Sequence, residues 1–174
     1  MVVPPDVEQP AAAPLAAVWT ALASVCDPEI PVLSVLDLGI VRSVEECAGT
    51  VTVTITPTYS GCPAVKVIEA GILAAVEALG ITGCRIQTRL APAWTTEWMS
   101  AAGRAKLNAY GIAPPAQQVI DISGLGRRAV PPDVTCPRCG SRHTQVISQF
   151  GSTACKALYR CQDCREPFDY FKCH

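Results

Sequence analysis

The chain has 174 residues, 49% of them hydrophobic and 17% charged, with a net charge of -1. That length holds one compact domain and a small second module, and the composition is globular rather than disordered. The balanced charge gives no electrostatic reason to expect nucleic acid or a membrane surface as partner, and Asp, Glu, Lys or Pro interrupts every apolar stretch well before the roughly 18 residues of a membrane span.

Residues 1–13 have no basic start and no continuous apolar run, so they read as a short flexible leader rather than a secretory signal. Leu15, Val18, Trp19, Leu22 and Val25 then recur at helical spacing and predict an amphipathic helix ending near Cys26, before Asp27-Pro28. DPEIPVLSVLDLGIV is a Pro-punctuated loop leading into a strand around Ile40 to Val44, and EECAG is a turn. TVTVTIT, Thr50 to Thr56, alternates strictly and puts Val51, Val53 and Ile55 on one face with threonines on the other. Val65, Ile68, Ile72, Val76 and Leu79 trace a second helix stopped by Gly80. CRIQTRL reads as a third strand. Thr95 or Thr96 can cap a third helix carrying Trp98, Ala102, Ala105 and Tyr110, ending in GIAPP. The order predicts an α+β fold, an α-β-β-α-β sheet domain followed by a helix, over residues 14–115. Residues 116–132 are expected to be a linker able to contribute one strand, and residues 133–174 a second module.

The chain has ten cysteines and no export signal, which argues against a disulfide framework. A reducing cytoplasm, the expected location, keeps thiols for metal, redox chemistry or packing. Cys136-x-x-Cys139 and Cys161-x-x-Cys164 have 21 residues between them, and two such turns supply four sulfurs to a closed tetrahedral zinc site. So short a module with few aliphatics needs that staple to fold. Cys155 and Cys173 remain in the tail. They are either packing residues or, with His174, a second thiol set for metal or redox work. His143 reads as a surface loop residue rather than a ligand.

The stretch TITPTYSGCPAV places Cys62 between a polar turn and a helix, with Pro63 suited to the first helical turn. The unpaired N–H groups there and the helix dipole predict a thiolate of lowered pKa. The alternative is a buried cysteine that closes the turn.

DPEIPVLSVLDLGIV together with VTITPTYSGCPAVKVIEAGI resembles the MIP18 (DUF59) family over roughly residues 14–115, and CPRCGS…STACKALYRCQDCREPFDYFKCH extends the likeness to the PaaD family of phenylacetate degradation, in which such a domain is fused to a zinc ribbon. The resemblance implies a cytoplasmic accessory protein of the phenylacetyl-CoA 1,2-epoxidase. It would mature or repair the iron–sulfur or diiron centre of the reductase or the oxygenase component. The motif carries over to Asp27, Glu29 and Cys62 as a site for transient iron or a cluster; the residue count between threonine and cysteine varies in the family, so Thr56 and Thr58 are carried over less firmly. A soft thiolate with hard carboxylates suits an exchangeable iron site. Asp27 has the alternative of capping a turn. Arg165 and Glu166 follow the second cysteine pair where ribbons commonly have glycine, a departure that bears on turn geometry rather than on the ligands.

Two accounts stand side by side: a maturation factor acting through Cys62, and a non-enzymatic scaffold that docks the oxygenase and reductase through its zinc ribbon. A homodimer is left open. A Cys–His enzyme is disfavoured, since His143 and His174 both lie in the tail, and no GxxxxGK phosphate loop is present.

Overall fold

The computed structural model describes residues 13–115 and 133–172, which fall into two compact units divided within a helix, after Lys106. Residues 1–12 of the expected leader, the expected linker 116–132, Cys173 and His174 lie outside the described residues. No helix among the described residues is long and apolar enough to cross a membrane.

The first unit opens with helix α1, Ala13–Leu22. It stops a turn before Cys26, because Ser24 and Val25 donate to the carbonyls of Ala21 and Leu22 in i→i+3 fashion, and the Ser24 hydroxyl also donates to Ala21. Val25 still turns inward. Strands β1, Val41–Cys47, and β2, Thr50–Ile55, form an antiparallel hairpin whose turn is only Ala48-Gly49, shorter than the EECAG turn expected. Helix α2, Val65–Glu77, crosses over to β3, Cys84–Thr88, which pairs parallel with β2. The sheet order is therefore β1-β2-β3, with α1 packed on α2 and β1.

The sequence patterns explain these elements. Val51, Val53 and Ile55 are buried on the helix-covered face, as the alternation predicts, and each contributes roughly 1.5–3 kcal/mol of burial. Thr54 and Thr56 are buried as well, so the end of β2 is covered on both sides rather than solvated on one. Along α2, Ile68, Ile72 and Val76 face the core while Leu79 is exposed.

Thr95 and Thr96 do not cap the third helix. Residues Thr96–Trp98 make one 3-10 turn, and α3, Ala101–Tyr110, starts afresh with the Ser100 hydroxyl accepting the Gly103 N–H at 2.8 Å. Its buried positions are Gly103 and Leu107, whereas Ala102, Ala105 and Tyr110 are exposed. Asp37, 7% exposed, sets this start. Its carboxylate accepts hydrogen bonds from the Ser34 N–H (3.0 Å), the Ser34 and Ser100 hydroxyls (2.9 and 3.2 Å) and Lys106 Nζ (2.6 Å). A Cβ at Gly103 would stand 2.9 Å from the Asp37 carbonyl oxygen, so only glycine lets the helix approach so closely.

The second unit is a four-stranded sheet. Strands β4 (Ile112–Ala113), β5 (Thr144–Ser148), β6 (Lys156–Cys161) and β7 (Pro167–Phe171) lie in the order β4-β7-β6-β5. Ile112-Ala113, read from sequence as the tail of a helix, pairs parallel with Asp169 and Tyr170 of β7. The core is small and aromatic: Tyr159 packs edge-on to Tyr170 at 5.4 Å and near Phe168 at 6.0 Å, beside buried Cys136 and Cys161.

Candidate metal sites

The two Cys-x-x-Cys turns of the second unit are built alike. Cys136 N–H donates to the Ser141 carbonyl at 2.8 Å, and Cys161 N–H donates to the Glu166 carbonyl at 3.0 Å, each closing a loop of the same length. Each turn needs a left-handed residue just after its second cysteine: Gly140 at φ 75° in the first, Arg165 at φ 67° in the second. Arg165 thus takes the conformation that glycine would take without strain. The turns are tied together by Asp163, which accepts from the Ser141 hydroxyl and stands 3.2 Å from His143 Nδ1, and by Gln162 N–H donating to the His143 carbonyl at 2.8 Å. The Ser141 hydroxyl and the His143 ring hold the Asp163 carboxyl below its ordinary value. His143 braces the turns from the surface.

This frame brings the sulfurs of Cys136, Cys139, Cys161 and Cys164 within 4.8 Å of one another, with Cys136–Cys164 at 3.8 Å and Cys139–Cys161 at 3.5 Å. Sulfurs bound tetrahedrally at about 2.3 Å from an ion lie about 3.8 Å apart, so the donor set and spacing fit zinc. They lie well beyond a disulfide bond. The metal-free thiols share protons unequally. The N–H groups of Cys164 and Asp163 help to draw Cys161 down to about 6. At Cys139 the Ser141 N–H acts in the same sense, but the neighbouring sulfurs and burial outweigh it and push the thiol up to about 12. Cys155 is buried elsewhere in the sheet, with Thr153 Oγ1 3.0 Å from its sulfur; its suggested companions Cys173 and His174 lie outside the described residues.

In the first unit, Cys62 stands in the turn ahead of α2. Its N–H donates to Tyr59 at 3.2 Å, and its carbonyl accepts from Val65 at 3.3 Å, where the helix proper begins. Cys62 lines a small cavity with Asp27 and Thr58, and Ile55, Val65 and Ile68 give it apolar walls. Asp27 does cap a turn: its Oδ1 accepts the N–H groups of Glu29 at 2.7 Å and Ile30 at 2.9 Å. That turn also delivers the carboxylate to the cavity and places Glu29 near enough to act on the thiol.

The thiol is not acidified, contrary to the helix-terminus argument. Burial pushes the Cys62 pKa up, and the charges of Asp27 and Glu29 push the same way. Hydrogen bonds from the Ala64 N–H and the Tyr59 side chain act against this and are outweighed. The helix-start N–H is present, but burial, joined by two carboxylates from a loop more than thirty residues earlier, outweighs it. Tyr59 is a contact sequence reasoning missed; it lies in the turn before Cys62, but only its ring position over Gly61 brings it to the sulfur. Cys26 and Cys47 are exposed and Cys84 is half-buried, and none of the three lines this cavity.

Fold and cysteine cluster together define a class: a small α+β domain followed by a ribbon module with a four-cysteine metal site. Residues 15–85 match the family described as iron–sulfur cluster assembly protein, and residues 123–172 match the family described as PaaD zinc beta ribbon domain. A protein of Escherichia coli, provisionally named as the D component of 1,2-phenylacetyl-CoA epoxidase, is 50% identical over 156 residues, which cover 90% of this chain and 91% of that protein. The chain belongs to this family of epoxidase components. A Porphyromonas gingivalis protein named Fe-S protein maturation auxiliary factor is 40% identical over 88 residues, 49% of this chain and 83% of its own. The crystal structure of a DUF59 domain from Bacillus anthracis is similar at 24% identity and a TM-score of 0.48, covering 52% of this chain and 87% of that one.

Proposed function

We propose that this chain is a non-catalytic accessory protein of a phenylacetyl-CoA 1,2-epoxidase. In this reading it matures or repairs the iron–sulfur or diiron centre of the reductase or oxygenase component in the cytoplasm. Its iron is handled transiently at Cys62 with Asp27 and Glu29, and Cys136, Cys139, Cys161 and Cys164 hold one structural zinc. The observation that carries the reading is the meeting of Cys62 and Asp27 at one cavity, from segments 35 residues apart. A thiol beside carboxylates suits iron that must later leave, since the mixed donor set holds it less tightly than four thiolates would. The names of the two relatives, an epoxidase component and a maturation factor, support the same reading.

The scaffold account has its own supporting feature. Ile147 and Phe150 are 54% and 68% exposed on the ribbon, and apolar side chains of that size can anchor a partner. One strain separates the two. With Cys62→Ala the protein should fold, keep its zinc and still bind its client, while epoxidation in cells fails. Client purified from that strain should be poor in iron and regain activity on chemical reconstitution with iron and sulfide. Normal epoxidation and a fully loaded client in that strain would leave the scaffold as the account.

A further inference from the structure

Taking the four ribbon cysteines as zinc ligands, the reading above, the structure assigns Asp163 as the positioning residue that holds the exposed ligand Cys139 in place through Ser141 and so sets how fast the site gives up its metal. Three observations carry this. Of the four cysteines, Cys136 and Cys161 are buried and Cys164 is half-buried, while Cys139 is exposed. A competing chelator displaces ligands one at a time, so it meets Cys139 first. Next, the Cys139 sulfur takes a hydrogen bond from the Ser141 N–H, and the Cys161 sulfur takes one from the N–H of Asp163. Each of these residues thus holds a ligand of its own turn. Lastly, the same two residues bond to each other: the Ser141 hydroxyl donates to Asp163 Oδ2 across 22 residues of sequence.

A chain of contacts therefore runs from the Cys139 sulfur through Ser141 and Asp163 to the Cys161 sulfur, joining the exposed ligand to a buried one independently of the metal. Ser141 is fixed on its other sides as well. Its carbonyl accepts the Cys136 N–H at 2.8 Å, and its hydroxyl oxygen accepts the His143 N–H at 3.0 Å, which leaves the hydroxyl proton for the carboxylate. The other carboxylate oxygen stands 3.2 Å from His143 Nδ1, so Asp163 cannot turn away from Ser141 without breaking both contacts. The Asp163 side chain is 57% exposed, and bonds so open to water add little to folding stability. Their effect falls on the ligand they orient: removing such partners of a metal ligand costs about 10–100-fold in metal affinity.

The test uses the full zinc-loaded chain and follows zinc transfer to an excess of a chromogenic chelator. Asp163→Ala should release zinc about tenfold faster than the parent chain, and so should Ser141→Ala, which leaves the carboxylate in place. Asp163→Asn, whose amide oxygen still accepts the Ser141 hydroxyl, should restore slow release. The double variant should be no faster than either single one, because both changes cut the same path. In the cobalt-substituted chain, the thiolate-to-cobalt absorption band should shift in Asp163→Ala and Ser141→Ala, a signature of the sulfur environment rather than of fold stability. Zinc release from Asp163→Ala at the parent rate, or multiplied acceleration in the double variant, would overturn the assignment while leaving the four cysteines as ligands. A parent chain that holds no zinc would overturn the zinc reading and the assignment with it.

Discussion

At Cys62 the sign of the pKa shift has a direct chemical consequence. Because burial and the charges of Asp27 and Glu29 raise the thiol from its ordinary 9.0, little thiolate is present near neutrality. In metal-free protein, iodoacetamide should therefore label exposed Cys47 before Cys62 at pH 7, with Cys62 labelling climbing only in alkaline solution. Asp27→Asn or Glu29→Gln should move that profile to lower pH. Peptide mass spectrometry reads both, and Cys62 labelling first at pH 7 would refute the argument. Arg165 offers a second test at this scale. A side chain in the left-handed region costs about 1–2 kcal/mol, part of which glycine gives back as entropy of the unfolded chain. Arg165→Gly should stabilise the zinc-bound ribbon by about 0.5 kcal/mol and slow zinc transfer to a chelator, while Gly140→Ala should do the reverse.

Among the elements, α3 depends on a carboxylate far from it in sequence. Asp37→Ala removes the acceptor for Ser34, Ser100 and Lys106 together, and should cost about 2–4 kcal/mol in denaturant unfolding of the first unit. Burial is the largest influence on this carboxyl and works to raise its pKa, yet the Lys106 and Ser34 hydrogen bonds and the Lys106 charge leave it below its ordinary 3.8. A folded pKa depressed in this way contributes stability above the unfolded value and loses it as pH falls through the folded one. Stability of the first unit should accordingly drop below about pH 4, and Asp37→Asn should flatten that limb. The same element shows what sequence could and could not carry. β2 and α2 were legible because Val51, Val53 and Ile55, and Ile68, Ile72 and Val76, record one buried face in their spacing. The start of α3 was not, because it is fixed by Asp37 acting across 63 residues and by the absence of a side chain at Gly103. The four-cysteine cluster was legible for the opposite reason: a Cys-x-x-Cys step is local. The protonation of Cys62 was not, since the groups that set it arrive through the folded chain.

For the molecule as a whole, the four-cysteine cluster, holding zinc as proposed, is the main support of the second unit. A core of a few aromatics and cysteines buries too little to stand alone, whereas structural zinc supplies of order 10 kcal/mol to small modules. Cys136→Ser or Cys161→Ser should release zinc and leave residues 133–172 open to protease while the first unit stays folded. Full zinc retention in both variants would remove those residues as ligands. The parallel pairing of β4 with β7 matters during synthesis. Ile112 and Ala113 are synthesised more than fifty residues before Asp169 and Tyr170, which receive them. At about 5–20 residues per second that is a delay of roughly several seconds, in which the strand has an unsatisfied edge. The nascent first unit can be complete and its thiol in place while the ribbon is still waiting for its last strand. A ribosome stalled just short of Pro167 would therefore display a finished Cys62 turn on a chain whose ribbon sheet cannot yet close.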